Sequence, residues 1–223
     1  AAMLNNQAAL YLEMNREDNV EDLLKRSVNI YKSNFGEDNP AYVKSLSDLA
    51  NFYRYKTRYA EAEPLMEKTL TAYQNILGVD HPYYVHAQEN KAILLWKKND
   101  LAKAYALYKD VMQKSISFIN MYFPPMSEAE KTKYWDVLSL RFQRYYNFAI
   151  DAAANGNITA VEDLYNYQLT TKGLLLSATN KIKQTILSSG DAQLIKDYFS
   201  WLDHKETLAR LYAYTKEELK EQH

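Results

Sequence analysis

The sequence predicts an all-α chain, with three stacked helix pairs followed by a bundle of long helices. Three observations predict it. Gly and Pro number only five each in 223 residues, too few to punctuate many strands and turns, and good helix formers abound. The stretch GEDNPAYVKSLSDLANFY (36–53) returns as GVDHPYYVHAQENKAILL (78–95), with Gly, Asp, Pro, Tyr and Val each 42 positions on. A fixed period of that size marks a helical repeat array. Within each copy the apolar residues recur at steps of three and four.

Residues 36–77 and 78–119 share ten positions: Gly36/Gly78, Asp38/Asp80, Pro40/Pro82, Tyr42/Tyr84, Val43/Val85, Ala50/Ala92, Lys56/Lys98, Ala60/Ala102, Ala62/Ala104 and Leu65/Leu107. Leu46, Ala50 and Tyr53 have counterparts in Leu4, Ala8 and Tyr11, so 1–35 reads as a first copy lacking its start. In the second copy Val43, Leu46, Leu49, Ala50 and Tyr53 form one helical stripe. Lys56-Thr57-Arg58 is the turn, and Tyr59, Ala62, Leu65, Met66, Thr69, Leu70 and Tyr73 form a second stripe. Gly36 and Gly78 sit where a helix end favours φ > 0. Pro40 and Pro82 sit near a helix start, where a missing N–H costs little. Ala50 and Ala62, like Ala92 and Ala104, are 12 apart on facing helices, and small side chains there allow close approach. Pro64 is expected to kink the second helix or delay its start. The third copy is less regular, with Gln88, Lys91 and Leu95 replacing Leu, Leu and Tyr.

Pro124 falls 42 after Pro82, but no turn follows where the period requires one. The run 126–153 reads as one long helix, opened by a capping box of Ser127 and Glu130. It carries Tyr134, Val137, Leu138, Arg141, Tyr145 and Phe148 at helical spacing and ends at Asn155-Gly156-Asn157. A second long helix runs from about Thr159 to Ser188, with Leu164, Gln168, Thr171, Leu175, Ala178, Ile182 and Ile186 on one face. Ser189-Gly190-Asp191 is a stop followed by a cap. A third helix carries Leu194, Tyr198, Trp201, Leu208, Leu211 and Leu219, and the last two helices are expected to form an antiparallel hairpin.

The internal pattern of LANFYRYKTRYAEAEPLMEKTL (49–70) resembles a tetratricopeptide repeat, and the Gly-x-Asp-x-Pro lead-in with the long period is similar to the kinesin light chain type of that family. The resemblance implies a right-handed helical solenoid over 1–119, in copies of about 1–35, 36–77 and 78–119, with 120–223 as a separate long-helix bundle. Tyr165 or Tyr167, Lys172-Gly173-Leu174, Gly190-Asp191 and Trp201 resemble the helical segment that precedes the CHAT domain of tetratricopeptide–CHAT proteins. CHAT domains are caspase- and separase-like, with a His–Cys dyad. This second resemblance implies a recognition and coupling arm for such a domain beyond His223. The opening Ala1-Ala2-Met3-Leu4 likewise reads as a piece of a longer protein, which leaves targeting and compartment unassigned.

The chain has no cysteine, which excludes thiolate nucleophiles, disulfides and Cys-based zinc sites. Phosphate-cradling loops, GxSxG and HExxH are absent from the sequence, so this stretch is not expected to be an enzyme or to need a cofactor or metal. Net charge is −1, which argues against a broad nucleic-acid or membrane footprint, and no apolar run reaches a membrane span. His81 stands where the earlier copy has Asn39 and reads as turn punctuation. His204, Asp203 and the Glu/Lys runs at 128–133 and 216–221 read as solvated surface. Lys172 and Gly173 are a candidate coupling point, because a mid-helix Gly costs about 1 kcal/mol against Ala. The competing reading is close packing over Gly173 by Trp135 or Trp201.

In stacked helix pairs the first helix of each pair lines the concave side. Asn6, Asp48 and Asn90 are 42 apart on that helix. In the resembled family an Asn here holds the backbone of a bound peptide, since one amide both donates and accepts. Asp48 departs from the pattern and only accepts. Lys44, Asn51, Arg54, His86 and Trp96 belong to the same expected groove. Lys44 and Arg54 suit anionic partners, while Trp96 either anchors a guest or packs internally against the helix at 127–153. The partner class expected is a protein or peptide.

Overall fold

The computed structural model describes residues 1–213 apart from 15, 17, 18 and 125, and leaves out the side chains of 128, 174–182, 205–206 and 208–213. Leu219, the run 216–221 and His223 therefore lie outside the described residues, as do the side chains of Leu174, Leu175, Ala178, Ile182, Leu208 and Leu211. The described chain forms helices α1 (Ala2–Glu13), α2 (Val20–Phe35), α3 (Pro40–Tyr55), α4 (Tyr59–Leu77), α5 (Pro82–Lys97), α6 (Leu101–Tyr122), α7 (Glu128–Ala154), α8 (Thr159–Leu187) and α9 (Ala192–Ala213). No described helix is long and apolar enough to cross a membrane.

Local chemistry explains the boundaries. Gly36 and Gly78 end α2 and α4 at φ 78° and 85°, with ψ 178° and 165°, a region essentially reserved for glycine. Asn39 accepts from Ala41 N at 2.8 Å and His81 Nδ1 accepts from Tyr83 N at 3.1 Å. The two are equivalent N-caps, each followed by Pro at the first turn. Ser127 and Glu130 make the capping box. Gly190 has φ 72°, and Asp191 caps α9 through Gln193 N and Leu194 N, both at 3.0 Å. Pro64 lies inside α4, which nonetheless begins at Tyr59, so the start is not delayed.

Packing divides the chain into two compact units, Ala1–Leu169 and Thr170–His223. In the first, Ala8, Val20, Ala50, Ala62, Ala92 and Ala104 are all buried, and small side chains at such positions let paired helices approach closely. The irregular third copy is accommodated by polar pairs. Gln88 donates to Asp110 at 2.8 Å, and Lys91 reaches Glu67 of the preceding pair.

The turn missing after Pro124 is delayed, not lost. In the first three pairs a backbone N–H closes back five residues: Arg16 to Tyr11, Arg58 to Tyr53 and Asp100 to Leu95. Asn157 does the same to Ala152, at 2.9 Å. The residue before the donor has positive φ at Thr57 (57°), Asn99 (63°) and Gly156 (93°). This last turn therefore stands 57 residues after its predecessor instead of 42. α6 has 22 residues against 19 in α4, and α7 has 27 against 16 in α5. Fifteen added residues are close to four helical turns, so the inward face is nearly restored. Tyr145, Phe148, Ala149 and Ala152 are fully buried at the positions of Gln88, Lys91, Ala92 and Leu95. Ala160, Leu164 and Tyr167 repeat the spacing of Ala104, Tyr108 and Val111. α7 and the first part of α8 thus form a fourth pair on the stack. Tyr108 packs on Phe148 (4.8 Å between ring centres), and Tyr105 donates to Asp163 at 2.6 Å.

Three expectations change. Lys131 is buried, not solvated, and Val137 is exposed. Tyr167, not Gln168, supplies the buried position on α8. In the second unit, 188–191 link the end of α8 to α9, and that link is short enough for a hairpin. Gly173 is exposed, and a Cβ built there meets nothing within 4 Å, so close packing over it by Trp201 of the same unit is not seen.

Candidate functional site

α3 buries Leu46, Leu49, Ala50 and Tyr53 and leaves Ala41, Lys44, Asp48, Asn51 and Tyr55 at least partly open. The same register on α7 leaves Leu140, Gln143, Asn147, Ile150 and Ala154 exposed. Asn147 is thus the next rung after Asn6, Asp48 and Asn90, displaced by the delayed turn. A scan at a fixed 42-residue step passes over it. Its signal was the Asn-Gly-Asn turn eight residues later, matching Lys56-Thr57-Arg58 and Lys98-Asn99-Asp100.

The four rungs differ in access. Asn6 and Asn147 are exposed. Asp48 Oδ2 accepts from Lys44 Nζ at 2.8 Å and from Asn5 Nδ2 at 3.0 Å, so this rung ties its neighbours together. Asn90 is 6% exposed with Nδ2 unpaired, and Asn51 Oδ1 is also buried without a partner. The face is therefore open at α1, α3 and α7 and recessed at α5, where His86 remains exposed.

A charge cluster built between α5 and α7 explains the recess. Glu89 is 1% exposed. Arg141 Nε donates to its Oε2 at 2.8 Å, and Arg144 Nε donates to its Oε1 at 2.6 Å. Arg141 also donates to Ser115 Oγ of α6 at 2.9 Å. Burial alone would raise the Glu89 carboxyl, but the two guanidiniums outweigh it and hold the pKa below its usual range. Desolvation lowers the Arg54 guanidinium, opposed by Tyr108 and reinforced by Arg144. Sequence reasoning gave Glu89 no partner, because Arg141 and Arg144 are 52 and 55 residues away.

Trp96 turns toward α7. It donates from Nε1 to Asp151 Oδ2 at 3.0 Å and packs edge-on to Phe148 at 5.8 Å. Of its two expected roles, internal packing is the one seen, and Lys97 Nζ lies 4.5 Å over the ring. Lys172 and Gly173 belong to the second unit.

A tetratricopeptide repeat family model matches residues 1–73 and again 43–114. Among solved structures, BtubC (BKLC) from P. vanneervenii is similar with a TM-score of 0.61 at 16% identity, over 78% of this chain and 63% of that one. The chain thus spans under two thirds of that protein's length. A candidate kinesin light chain from Podosopora anserina with nearly identical TPR-like repeats aligns at 14% identity and TM-score 0.47, over 82% of this chain and 92% of that one. A single-substitution variant of that Podosopora anserina protein gives the same identity and score over 86% and 95%. No curated protein sequence matches the chain. Tetratricopeptide repeats in general mediate protein–protein interaction. With the family model covering residues 1–114, slightly more than half the chain, and with repeat turns that recur in the structure, the chain belongs to the tetratricopeptide repeat family.

Proposed function

We propose that the chain is a protein-interaction scaffold that holds an extended peptide segment of a partner on the face lined by α1, α3, α5 and α7. The observation that supports this reading is the pair of exposed amides, Asn6 and Asn147, at equivalent first-helix positions on either side of the recessed α5. Each can donate to and accept from a peptide backbone without regard to its side chains. Register alone nominates Asn6→Ala with Asn90→Ala as the test. Asn90 is buried, so its loss would disturb the fold as well, and Asn147 is the better second site. Peptides selected by display on the intact chain should lose at least tenfold in affinity for the Asn6→Ala/Asn147→Ala double variant, with circular dichroism unchanged. Equal binding by the double variant sinks the reading.

A second reading makes the chain the regulatory arm of a CHAT-type cysteine peptidase whose catalytic domain follows His223. Gly173 favours it. It is an exposed mid-helix glycine without a packing reason, three residues past the junction of the two compact units. The open reading frame past His223 decides: a His and a Cys in a caspase-like α/β pattern support it, and a stop codon ends it.

A further inference from the structure

We infer that the chain associates head to tail: the open side of the α7–α8 pair in one copy receives α1 of a second copy, as one further step of the same stack. The inference does not depend on the peptide reading above. The joins between the second, third and fourth pairs are made at fixed positions, where charged or polar side chains reach across. Glu63 meets Lys98, Glu67 meets Lys91, and Glu89 meets Arg144. Trp96 donates to Asp151 across the last join.

The first and fourth pairs carry the same positions with the charge removed. On the fourth pair, Val161 and Tyr165 stand where α4 has Glu63 and Glu67, and Tyr146 and Ala153 stand where α5 has Glu89 and Trp96. On the first pair, Met14 and Gln7 stand where the third has Lys98 and Lys91, and Met3 and Leu10 stand where the fourth has Arg144 and Asp151. In a contact between copies, each of these pairs becomes uncharged on both sides: Val161 with Met14, Tyr165 with Gln7, Tyr146 with Met3, and Ala153 with Leu10. The two faces therefore match position by position, and neither leaves a charge of the other unpaired. Burial separates them from the inner joins. Ile93 is 8% exposed in the core it shares with α7 and α8, whereas its counterpart Ile150 is 47% exposed. Leu94 is 0% exposed and its counterpart Leu10 is 52%. Met3, Met14, Tyr146, Val161 and Tyr165 are exposed as well. Covering them removes apolar surface from water, and the shape of the seat is already set by the joins further along the stack. Because the contact uses a different face on each copy, copies add in series.

Sedimentation of the intact chain across micromolar to millimolar concentrations tests this. The wild type should form species larger than the monomer as concentration rises, and added salt should not weaken them, because no ion pair is involved. Val161→Glu and Met14→Lys each place one unmatched charge in the contact, and each should weaken association at least tenfold. Both positions are exposed, so circular dichroism should be unchanged. Mixing the two variants should restore association, since the new carboxylate then meets the new ammonium as Glu63 meets Lys98, while the other two faces keep their wild-type residues. A wild type that stays monomeric throughout overturns the inference and leaves the α7–α8 face to a different helix. Association lost in Val161→Glu but kept in Met14→Lys would set two α7–α8 faces against each other and overturn the head-to-tail order. Failure of the mixture to recover overturns the pairing of positions and the inference with it.

Discussion

Glu89→Gln removes one charge from a carboxylate that two arginines share. The side chain keeps its shape, so packing is nearly conserved and the loss is electrostatic. Breaking a buried ion pair from one side costs about 3–5 kcal/mol, because the remaining charge is left buried without compensation. Arg141, at 12% exposure, meets that description. Arg144, at 41%, can rehydrate, which places the expected loss near the lower end, about 3 kcal/mol. For a chain of this size that is a fall in Tm of about 6–12 °C. Because Glu89 is 1% exposed, added salt should screen little of the effect. Acid adds a second readout. The folded pKa of Glu89 lies below its free value of 4.5, so its contribution is complete above 4.5 and is lost as pH falls through the lower folded value. The variant should lack that part of the acid sensitivity. Urea unfolding at pH 7 and along a descending pH series measures both. A loss under about 1 kcal/mol would show that these charges are solvated and that α7 does not cover α5, refuting the delayed-pair packing and not only the ion pair.

Two smaller changes follow from backbone geometry. Thr57 sits at φ 57°, where a β-branched residue is strained by about 1–2 kcal/mol. Thr57→Asn, the residue at the equivalent Asn99, should stabilise by about 1 kcal/mol in urea unfolding, and a loss would mean the Thr57 Oγ1 contact with Lys56 O matters more than the strain. Gly173 is helical with open space around it, so Gly173→Ala should raise helix stability by about 1 kcal/mol. Destabilisation instead would reveal a packing partner for that glycine.

Much of the first three pairs was legible because their punctuation is local. A Gly at φ near 80°, an Asx- or His-type cap and a Pro at the first turn act within five residues of one another, and each leaves a residue-specific mark. The fourth pair was not legible as a repeat. Its residues fit one long helix, and the period that would expose it is altered by an insertion of about four helical turns, which preserves the face while breaking the count. The Glu89 cluster was harder still. Its members lie on different helices more than fifty residues apart, and only the docking of α7 brings them together. Trp96 shows the same limit: its neighbours Phe148 and Asp151 are set by tertiary packing. Lys131 was misassigned because a run of alternating charges looks solvated, whereas its position on α7 turns it inward.

The central claim is that the first-helix face receives the partner. A photoreactive benzoylphenylalanine placed at Asn51 or Ile150 on that face, or at Lys109 on the outward side of α6, reports where a display-selected peptide lies. All three positions are at least partly open to solvent. The account predicts crosslinks from positions 51 and 150 and none from 109. Crosslinking from 109 with none from the other two would contradict it.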